Sequence, residues 1–423
     1  MKILLIGGGG REHAIAWKLS QSPLVTELLC APGNAGISKL ARCYSNTKTT
    51  DIEAIVSLAK SEKVDYCVVA PDDPLALGLV DKLAREGIPS FGPTAAAAKI
   101  EASKAFSKAL MKKYDIPTAA YETFTDFDAA CRHIDSIPCP IVVKADGLAL
   151  GKGVIITRTR DEAKQAAKDM LVANKFGKSG ASLVIEEFMT GREVTQLVFT
   201  DGKTVALMPS SQDHKRALDG DKGPNTGGMG AFAPSPYFTD DKKQETLEKI
   251  ILPTINALNS EGIPFKGVLY FGLMMTPSGV KVVEYNARFG DPETQAILPL
   301  LKSDLLEIFL ACTNETLDQI DIQWDDGFCT CVVIASGGYP EKYETGHLID
   351  GIDMAQEGGA MVFHAGTKDG KGAFDGGVIT AGGRVLGVSA TAGSLKSSVA
   401  DAYLAAGCIS FENMHMRTDI GKI

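Results

Sequence analysis

The sequence predicts a multidomain protein of α/β and α+β class, and three observations carry that reading. Short apolar strands alternate with helices over the first hundred residues, and those strands run into glycine- or proline-rich turns. The character of the chain changes after Pro93, where an alanine- and lysine-rich helix leads into β-branched runs that flank glycine loops. A chain of 423 residues, 45% of them apolar, is too long for one core and can fill roughly two to four.

Residues 2–6 form a short apolar strand that runs into the glycines at 7–10. Residues 12–19 then have helix composition, with Ala14, Ile15 and Leu19 available for one face. This strand, turn and helix unit is either a tight turn without a ligand or a phosphate cradle made of backbone N–H groups at a helix start. Glu12 stands at the sixth position of the G-x-G-x-x-G pattern, so the dinucleotide fingerprint is incomplete. Apolar runs at 66–70 and 88–91 end in PDDP and GPT turns, which puts successive loops on one sheet edge, where open α/β sheets bind ligands. Residues 95–114 read as one long helix, broken by Asp115, Ile116 and Pro117, and a domain boundary falls near residue 100.

In IVVKADGLALGKGVIIT, residues 141–157, two β-branched runs flank a glycine loop, the pattern of a hairpin whose tip could fold over phosphates. Lys144 lies on its first strand and Lys152 in its loop. It is not a P-loop, because three residues separate Gly147 from Gly151, and Gly153 stands where that motif needs Ser or Thr. Strands at 183–188 and 193–200 are separated by M-T-G-R, and Glu186, Glu187 and Glu193 cluster where carboxylates or the intervening backbone could accept ribose hydroxyls or an adenine amino group. SSQDHKR, 210–216, is followed by a long glycine- and proline-punctuated stretch, 217–236, that reads as neither helix nor strand. Loops of that length are usually functional or disordered, and its Met229, Ala231 and Phe232 favour a loop packed over something.

VKVVEYNARFGDPETQ, residues 280–295, is the most informative stretch. Alternation along a strand puts Glu284, Asn286 and Arg288 on one face, with Asp291 following. Two oxygen ligands suit a hard cation such as Mg²⁺ that shares its other sites with phosphates, and the guanidinium suits a carboxylate or phosphate. The alternative is a strand edge whose polar face is merely solvated. Beyond about residue 325 the chain again reads as strands with one late helix at 394–406. That region looks architectural, and His364 reads as a packed histidine.

The formal charge of −9 argues against a nucleic-acid surface, so an anionic substrate must be held by local groups. No segment reaches the apolar length needed to span a bilayer, and MKILLIGGGG is too short and too soon followed by charge for a secretory signal. The nine cysteines have no C-x-x-C spacing and read as reduced, mostly buried thiols. A cytoplasmic protein without nucleic-acid or membrane partners is expected.

Across its length the sequence resembles the phosphoribosylamine–glycine ligase (glycinamide ribonucleotide synthetase) family of ATP-grasp enzymes. The resemblance rests on GGREHA at 9–14, APGNAG at 31–36, FGPTAAAAKIEASKAFSK at 91–108, KADGLALGKGV, SQDHKR, GPNTGGMGA, EYNARFGDPETQ and MRTDIG at 416–421. It implies an N-terminal Rossmann-like (pre-ATP-grasp) domain over 1–102, an ATP-grasp domain over 103–325 with a mobile subdomain at about 120–192, and a C-terminal α+β domain over 326–423. It also implies ligation of glycine to 5-phosphoribosylamine at the expense of ATP, with Mg²⁺ or Mn²⁺, through a glycyl phosphate, in purine biosynthesis. The protein would be a monomer or weak dimer.

By the same resemblance Lys104, Lys144 and Lys152 would meet the ATP phosphates, Glu186 and Glu193 the adenine and ribose side, and Glu284 and Asn286 the metal. Arg288 would bind glycine's carboxylate or the transferred phosphoryl group, and Asp213 could pair with the incoming amine; with Lys144 they form the expected catalytic set. Gly8, Gly9, Gly10, Asn34 and Asp72 would belong to the phosphoribosylamine site. There the chain departs from the family's G-P-E-x-P-L: it reads APDDPL, so Ala70 and Asp72 replace a glycine and a glutamate, and Asp72 reaches one methylene less far. No role follows for Arg417 and Asp419. Two other classes fit the residues less well. A nicotinamide-dependent oxidoreductase leaves the E-x-N-x-R strand unexplained, and a non-catalytic nucleotide-binding regulator would be expected to lack a metal ligand or phosphate-binding lysine.

Overall fold

The computed structural model describes residues 1–148, 153–173, 175, 177–372 and 375–422. Its first sheet is parallel, in the spatial order Arg42–Cys43, Glu27–Pro32, Lys2–Gly7, Tyr66–Val69, Ser90–Phe91. Ile3, Leu4, Leu5 and Ile6 on the central strand are all fully buried, so both faces are covered. Ile3 and Leu5 pack with Ile15 of the Gly10–Leu19 helix and with Leu305 and Phe309, while Leu4 and Ile6 pack with Ile55 and Leu83. The carboxyl ends of these strands share one edge, and the glycine turn opens from the middle of it.

The long helix expected at 95–114 is two helices, Ala95–Ala102 and Lys104–Lys113. Ser103 between them is extended (φ −138°, ψ 111°); its hydroxyl accepts the Phe106 N–H at 3.1 Å and donates to the Asp146 carboxylate at 3.0 Å. Serine capping has overridden the helix propensity of the alanines and lysines around it. The break starts the second helix at Lys104 and sets Lys108 one turn further on. The PDDP turn likewise opens a short helix, Asp72–Ala76.

Two antiparallel sheets of four strands follow. One has the order Tyr121–Phe124, Leu183–Glu187, Ile141–Ala145, Val154–Thr157. Helices Phe127–Ser136 and Arg160–Leu171 close a separate small core over it, around Ile134, Val143, Ala167 and Ile185. The hairpin expected at 141–157 is present, with Ile141 opposite Thr157 and Lys144 opposite Val154. The tip of its loop, with Lys152, lies outside the described residues. The other sheet has the order Val205–Leu207, Arg192–Thr200, Gly267–Thr276, Gly279–Asn286. The strands flanking M-T-G-R therefore belong to different sheets.

The stretch that read as neither helix nor strand holds three strands, Arg216–Leu218, Lys222–Asn225 and Gly230–Ala233. The first two form a hairpin turned by Gly220, Asp221 and Gly223 at φ of 68°, 52° and 79°. The third pairs with the distant strand Phe328–Ser336, a partnership no local pattern announces. The last sheet accordingly runs Gln212–Asp213, Gly230–Ala233, Phe328–Ser336, Arg384–Ala392, Met361–His364, with Met414–His415 also paired to Phe328–Ser336. Helix Leu395–Ala406, capped by Ser394, packs on this sheet. All nine cysteines are free thiols, five of them buried.

Candidate active site

The two antiparallel sheets, the parallel sheet's edge and the C-terminal sheet enclose a cavity of about 1150 Å³. That exceeds the roughly 300–1,000 Å³ usual for one small ligand, and leaves room for a nucleotide and a second substrate. Strand Gly279–Asn286 forms one wall. Tyr285 turns into the core, where its hydroxyl lies 3.0 Å from that of Thr254, while Glu284 and Asn286 line the cavity, as alternation predicts; Arg288, expected on the same strand, lines it from the bend just past the strand's end. Opposite Glu284 the neighbouring strand has Gly272, where a Cβ would stand 3.1 Å from Glu284 Cγ, so the glycine leaves the carboxylate its room.

Burial works against ionisation of Glu284, but Lys215, Lys144, Lys104 and Arg288 hold its carboxyl below the usual glutamate range. Lys215 Nζ sits 3.6 Å from Glu284 Oε1 and 3.1 Å from Glu193 Oε2, bridging the two acids. Arg288 donates to Asn286 Oδ1 at 3.2 Å and pairs with Glu101 Oε1 at 2.9 Å, and the other oxygen of Glu101 accepts the Ala287 N–H at 2.7 Å. Arg288 Nε is buried without a hydrogen-bond partner among the described residues.

The facing wall is cationic. Lys104 Nζ donates to the Gly147 carbonyl at 3.0 Å, and Lys144 Nζ donates to the Val283 carbonyl at 3.1 Å. Glu186, 3% exposed, pairs through one oxygen with Lys144 at 3.0 Å and through the other with Lys108 at 3.2 Å. Lys108 also donates to the Thr118 hydroxyl at 2.7 Å, and burial pushes its pKa down to about 8. Asp146 ties this wall to the hairpin. Its carboxylate accepts the Ser103 hydroxyl at 3.0 Å, the Ala105 N–H at 2.7 Å and the Ser182 hydroxyl at 2.9 Å.

Asp213 enters from the third side. Burial pushes its carboxyl up to about 8; Lys215 opposes that shift, and Glu293, Glu193 and Glu284 add to it. Asp72 lines the cavity too, at the start of its short helix. Among the described residues Arg11 lines the cavity, whereas the glycine turn before it packs against the FGDPETQ segment. A Cβ on Gly8 would lie 2.5 Å from the Gly33 carbonyl oxygen, and one on Gly10 would lie 2.6 Å from Gln295 Nε2. The Gly9 N–H is taken by Glu12 Oε2 at 2.7 Å. Asn34 donates to the Gly8 and His364 carbonyls at 2.9 and 2.8 Å and accepts the Gly36 and Ile37 N–H groups at 3.0 and 2.9 Å. Its side chain is thereby committed to holding the loop.

The structure thus brings Lys104, Lys144, Glu186, Glu193, Asp213, Asp72, Glu284, Asn286 and Arg288 to one cavity. The sequence reading missed Glu101, Lys108, Lys215 and Arg384. Lys108 had a signal, its spacing of four from Lys104 on a helix. Arg384 had none; it comes from the C-terminal sheet and donates to the Gly227 and Asp291 carbonyls, both at 2.7 Å. Tyr339 joins it by accepting the Gly227 N–H at 3.0 Å. The C-terminal region is therefore cavity wall as well as architecture.

Two antiparallel sheets closing on a lysine-lined cavity beside a parallel N-terminal sheet define an ATP-grasp protein. Solved structures with this fold include the biotin carboxylase domain of the 2-oxoglutarate carboxylase of Hydrogenobacter thermophilus, with a TM-score of 0.73 and 16% identity over 98% of this chain and 91% of that one. Within that class the chain belongs to the phosphoribosylglycinamide synthetase family, whose N domain matches residues 1–101, ATP-grasp (A) domain 102–294 and C domain 329–423. It is 46% identical to a phosphoribosylamine–glycine ligase of Vibrio vulnificus and 47% identical to that of Escherichia coli, each over 100% of this chain and 98% of the relative. The solved phosphoribosylamine–glycine ligase of Thermotoga maritima covers 99% of this chain with all of its own, at 30% identity and a TM-score of 0.83.

Proposed function

We propose that this chain joins glycine to 5-phosphoribosylamine with ATP, giving glycinamide ribonucleotide, ADP and phosphate through a glycyl phosphate, in purine biosynthesis. The observation that carries the reading is full-length membership of the family together with one cavity holding Glu284, Asn286 and Arg288 opposite Lys104 and Lys144. The proposed domains are 1–102, 103–325 with a mobile subdomain at about 120–192, and 326–423. The protein acts as a monomer or weak dimer in the cytoplasm, without nucleic acid; among the described residues no helix is long and apolar enough to cross a membrane.

Lys104 and Lys144 hold the ATP phosphates, and Lys152 joins them from the loop tip. Glu193 faces the ribose, and Glu186 supports the adenine side while neutralising Lys108 and Lys144. Glu284 and Asn286 fit a divalent cation, Mg²⁺ or Mn²⁺: they are an ionised carboxylate and an amide oxygen on one strand face. Held there with the nucleotide, such a cation would neutralise phosphate charge.

Arg288, held by Glu101, steers the glycine carboxylate toward the γ-phosphoryl group, a reaction served by positioning and fixed charge rather than by a protein nucleophile. Attack by a glycine oxygen forms the acyl phosphate and releases ADP. The amine of phosphoribosylamine then forms the C–N bond as phosphate leaves, and Asp213, with its carboxyl near 8, takes the proton the amine sheds. The glycines at 8–10, placed by Asn34, bind the sugar phosphate, and Asp72 meets its ribose from one methylene further back than a glutamate would.

Glycine labelled with ¹⁸O in its carboxylate tests the reading. One ¹⁸O should appear in the phosphate released, and only when phosphoribosylamine is present; unlabelled phosphate would exclude the glycyl phosphate.

A further inference from the structure

The motif at 416–421 plays no part in the chemistry above, yet among the described residues its arginine is the least exposed charged side chain. Arg417 is 1% exposed, rare for a guanidinium unless it is fully paired. Its Nε and one terminal nitrogen donate to the two oxygens of Asp419 at 2.7 and 2.8 Å. The other terminal nitrogen donates to Asp221 Oδ1 at 2.9 Å and the Arg216 carbonyl at 3.1 Å. Asp221 and Arg216 belong to the hairpin formed by Arg216–Leu218 and Lys222–Asn225.

Further bonds cross the same gap. Asp419 accepts the Gly220 N–H at 2.8 Å, Asp219 accepts the Thr418 N–H at 2.8 Å, and His415 Nε2 lies 2.8 Å from the Ala217 carbonyl oxygen. The tail is itself anchored to helix Leu395–Ala406, where the Tyr403 hydroxyl donates to the Arg417 carbonyl at 2.8 Å and accepts the Ile420 N–H at 2.9 Å. The chain end is a clamp between that helix and the hairpin.

What the clamp holds is Lys215. This lysine directly precedes the hairpin, and its carbonyl accepts the Thr226 N–H and hydroxyl at 2.8 and 2.9 Å as the hairpin returns. Its ammonium bridges Glu193 and Glu284, the two acids assigned to ribose and metal. A planar fork that grips two oxygens fixes orientation as well as distance, which a single ammonium does not.

We propose that Arg417 is a positioning residue for the nucleotide half of the reaction: through the hairpin it sets Lys215 between Glu193 and Glu284. The proposal rests on the reading of the cavity as a nucleotide site.

Calorimetric titration with Mg·ADP tests it on the wild-type chain, Arg417→Met, Arg417→Lys, Lys215→Met and the Arg417→Met/Lys215→Met double variant. Arg417→Met should weaken binding roughly tenfold, and Arg417→Lys should recover part of the loss. In the Lys215→Met background the same change should cost less than about twofold, because the group it positions is gone. A purely structural role would lower the unfolding temperature equally in both backgrounds and leave the affinities alone. Equal losses of affinity in both backgrounds, or an Arg417→Met affinity within about twofold of wild type, would overturn the clamp. Wild-type protein that does not bind Mg·ADP would overturn the nucleotide reading and the clamp with it. Should Arg417→Met fail to fold, Asp221→Asn removes one anchor at an exposed side chain; a smaller loss in the same direction is expected, and an unchanged affinity contradicts the proposal.

Discussion

His364 donates its backbone N–H to His13 Nδ1 at 2.7 Å, joining the first helix of the N-terminal sheet to a strand of the C-terminal sheet. The bond needs a bare ring nitrogen, so His13 is held neutral with its proton on Nε2. His364, 2% exposed, has its own Nδ1 3.1 Å from the Thr367 hydroxyl, in keeping with its reading as a packed histidine.

This pair makes the fold sensitive to acid. Burial first, then the neighbouring ring and Lys39, lower the His13 pKa to about 3; burial and Lys39 lower that of His364 to about 4. In the unfolded chain both titrate near the ordinary value of about 6.5. Their contribution to stability is therefore complete above about pH 6.5 and falls as pH drops toward 4, by about 2 kcal/mol each at pH 5. Urea unfolding at pH 7 and pH 5 should show this loss in the wild type. His13→Asn, which keeps an acceptor but cannot titrate, should lose roughly half as much between the two pH values.

Gly36 lies between the same two rings. A Cβ there would stand 2.3 Å from His13 Cε1 and 2.5 Å from His364 Cγ. Gly36→Ala should cost about 1–3 kcal/mol in thermal or urea unfolding. Because the loop also carries Asn34 to Gly8, it should raise KM for phosphoribosylamine more than KM for ATP. Equal effects on the two would detach this loop from the sugar-phosphate site.

Asp146→Ala removes one acceptor from Ser103, Ala105 and Ser182 at once. Loss of the helix-start contacts should cost about 1–2 kcal/mol, and Lys104 should lose its fixed relation to the Gly147 carbonyl. The expected kinetic result is a raised KM for ATP with KM for glycine unchanged, read from steady-state rates.

Much of this was legible in the sequence because alternation is a local rule: Glu284 and Asn286 share a face for the same reason that Tyr285 does not, and Arg288 joins them from the bend just past the strand's end. The split at Ser103 was legible too, had the serine been weighed as a cap rather than as one residue in an alanine- and lysine-rich run. The Arg216–Asn225 hairpin was not. Its strands are only 3 and 4 residues long, and what holds them is Arg417 at the far end of the chain. Glu101 was hidden for a related reason, since Ala287, whose N–H it accepts, lies 186 residues further along the chain, next to Arg288.

Glu284→Gln keeps shape and removes charge from the proposed metal face. Turnover should fall by roughly 100-fold or more, with the unfolding midpoint little changed. Near-normal rates at saturating magnesium would remove Glu284 from the metal site.

The most direct test of the ligase itself is ADP release from ATP and magnesium, with glycine and freshly made 5-phosphoribosylamine omitted in turn. Full release should require both, with glycinamide ribonucleotide formed in equal amount. Release that needs neither, or that needs another amino acid or amine, would contradict the assigned reaction.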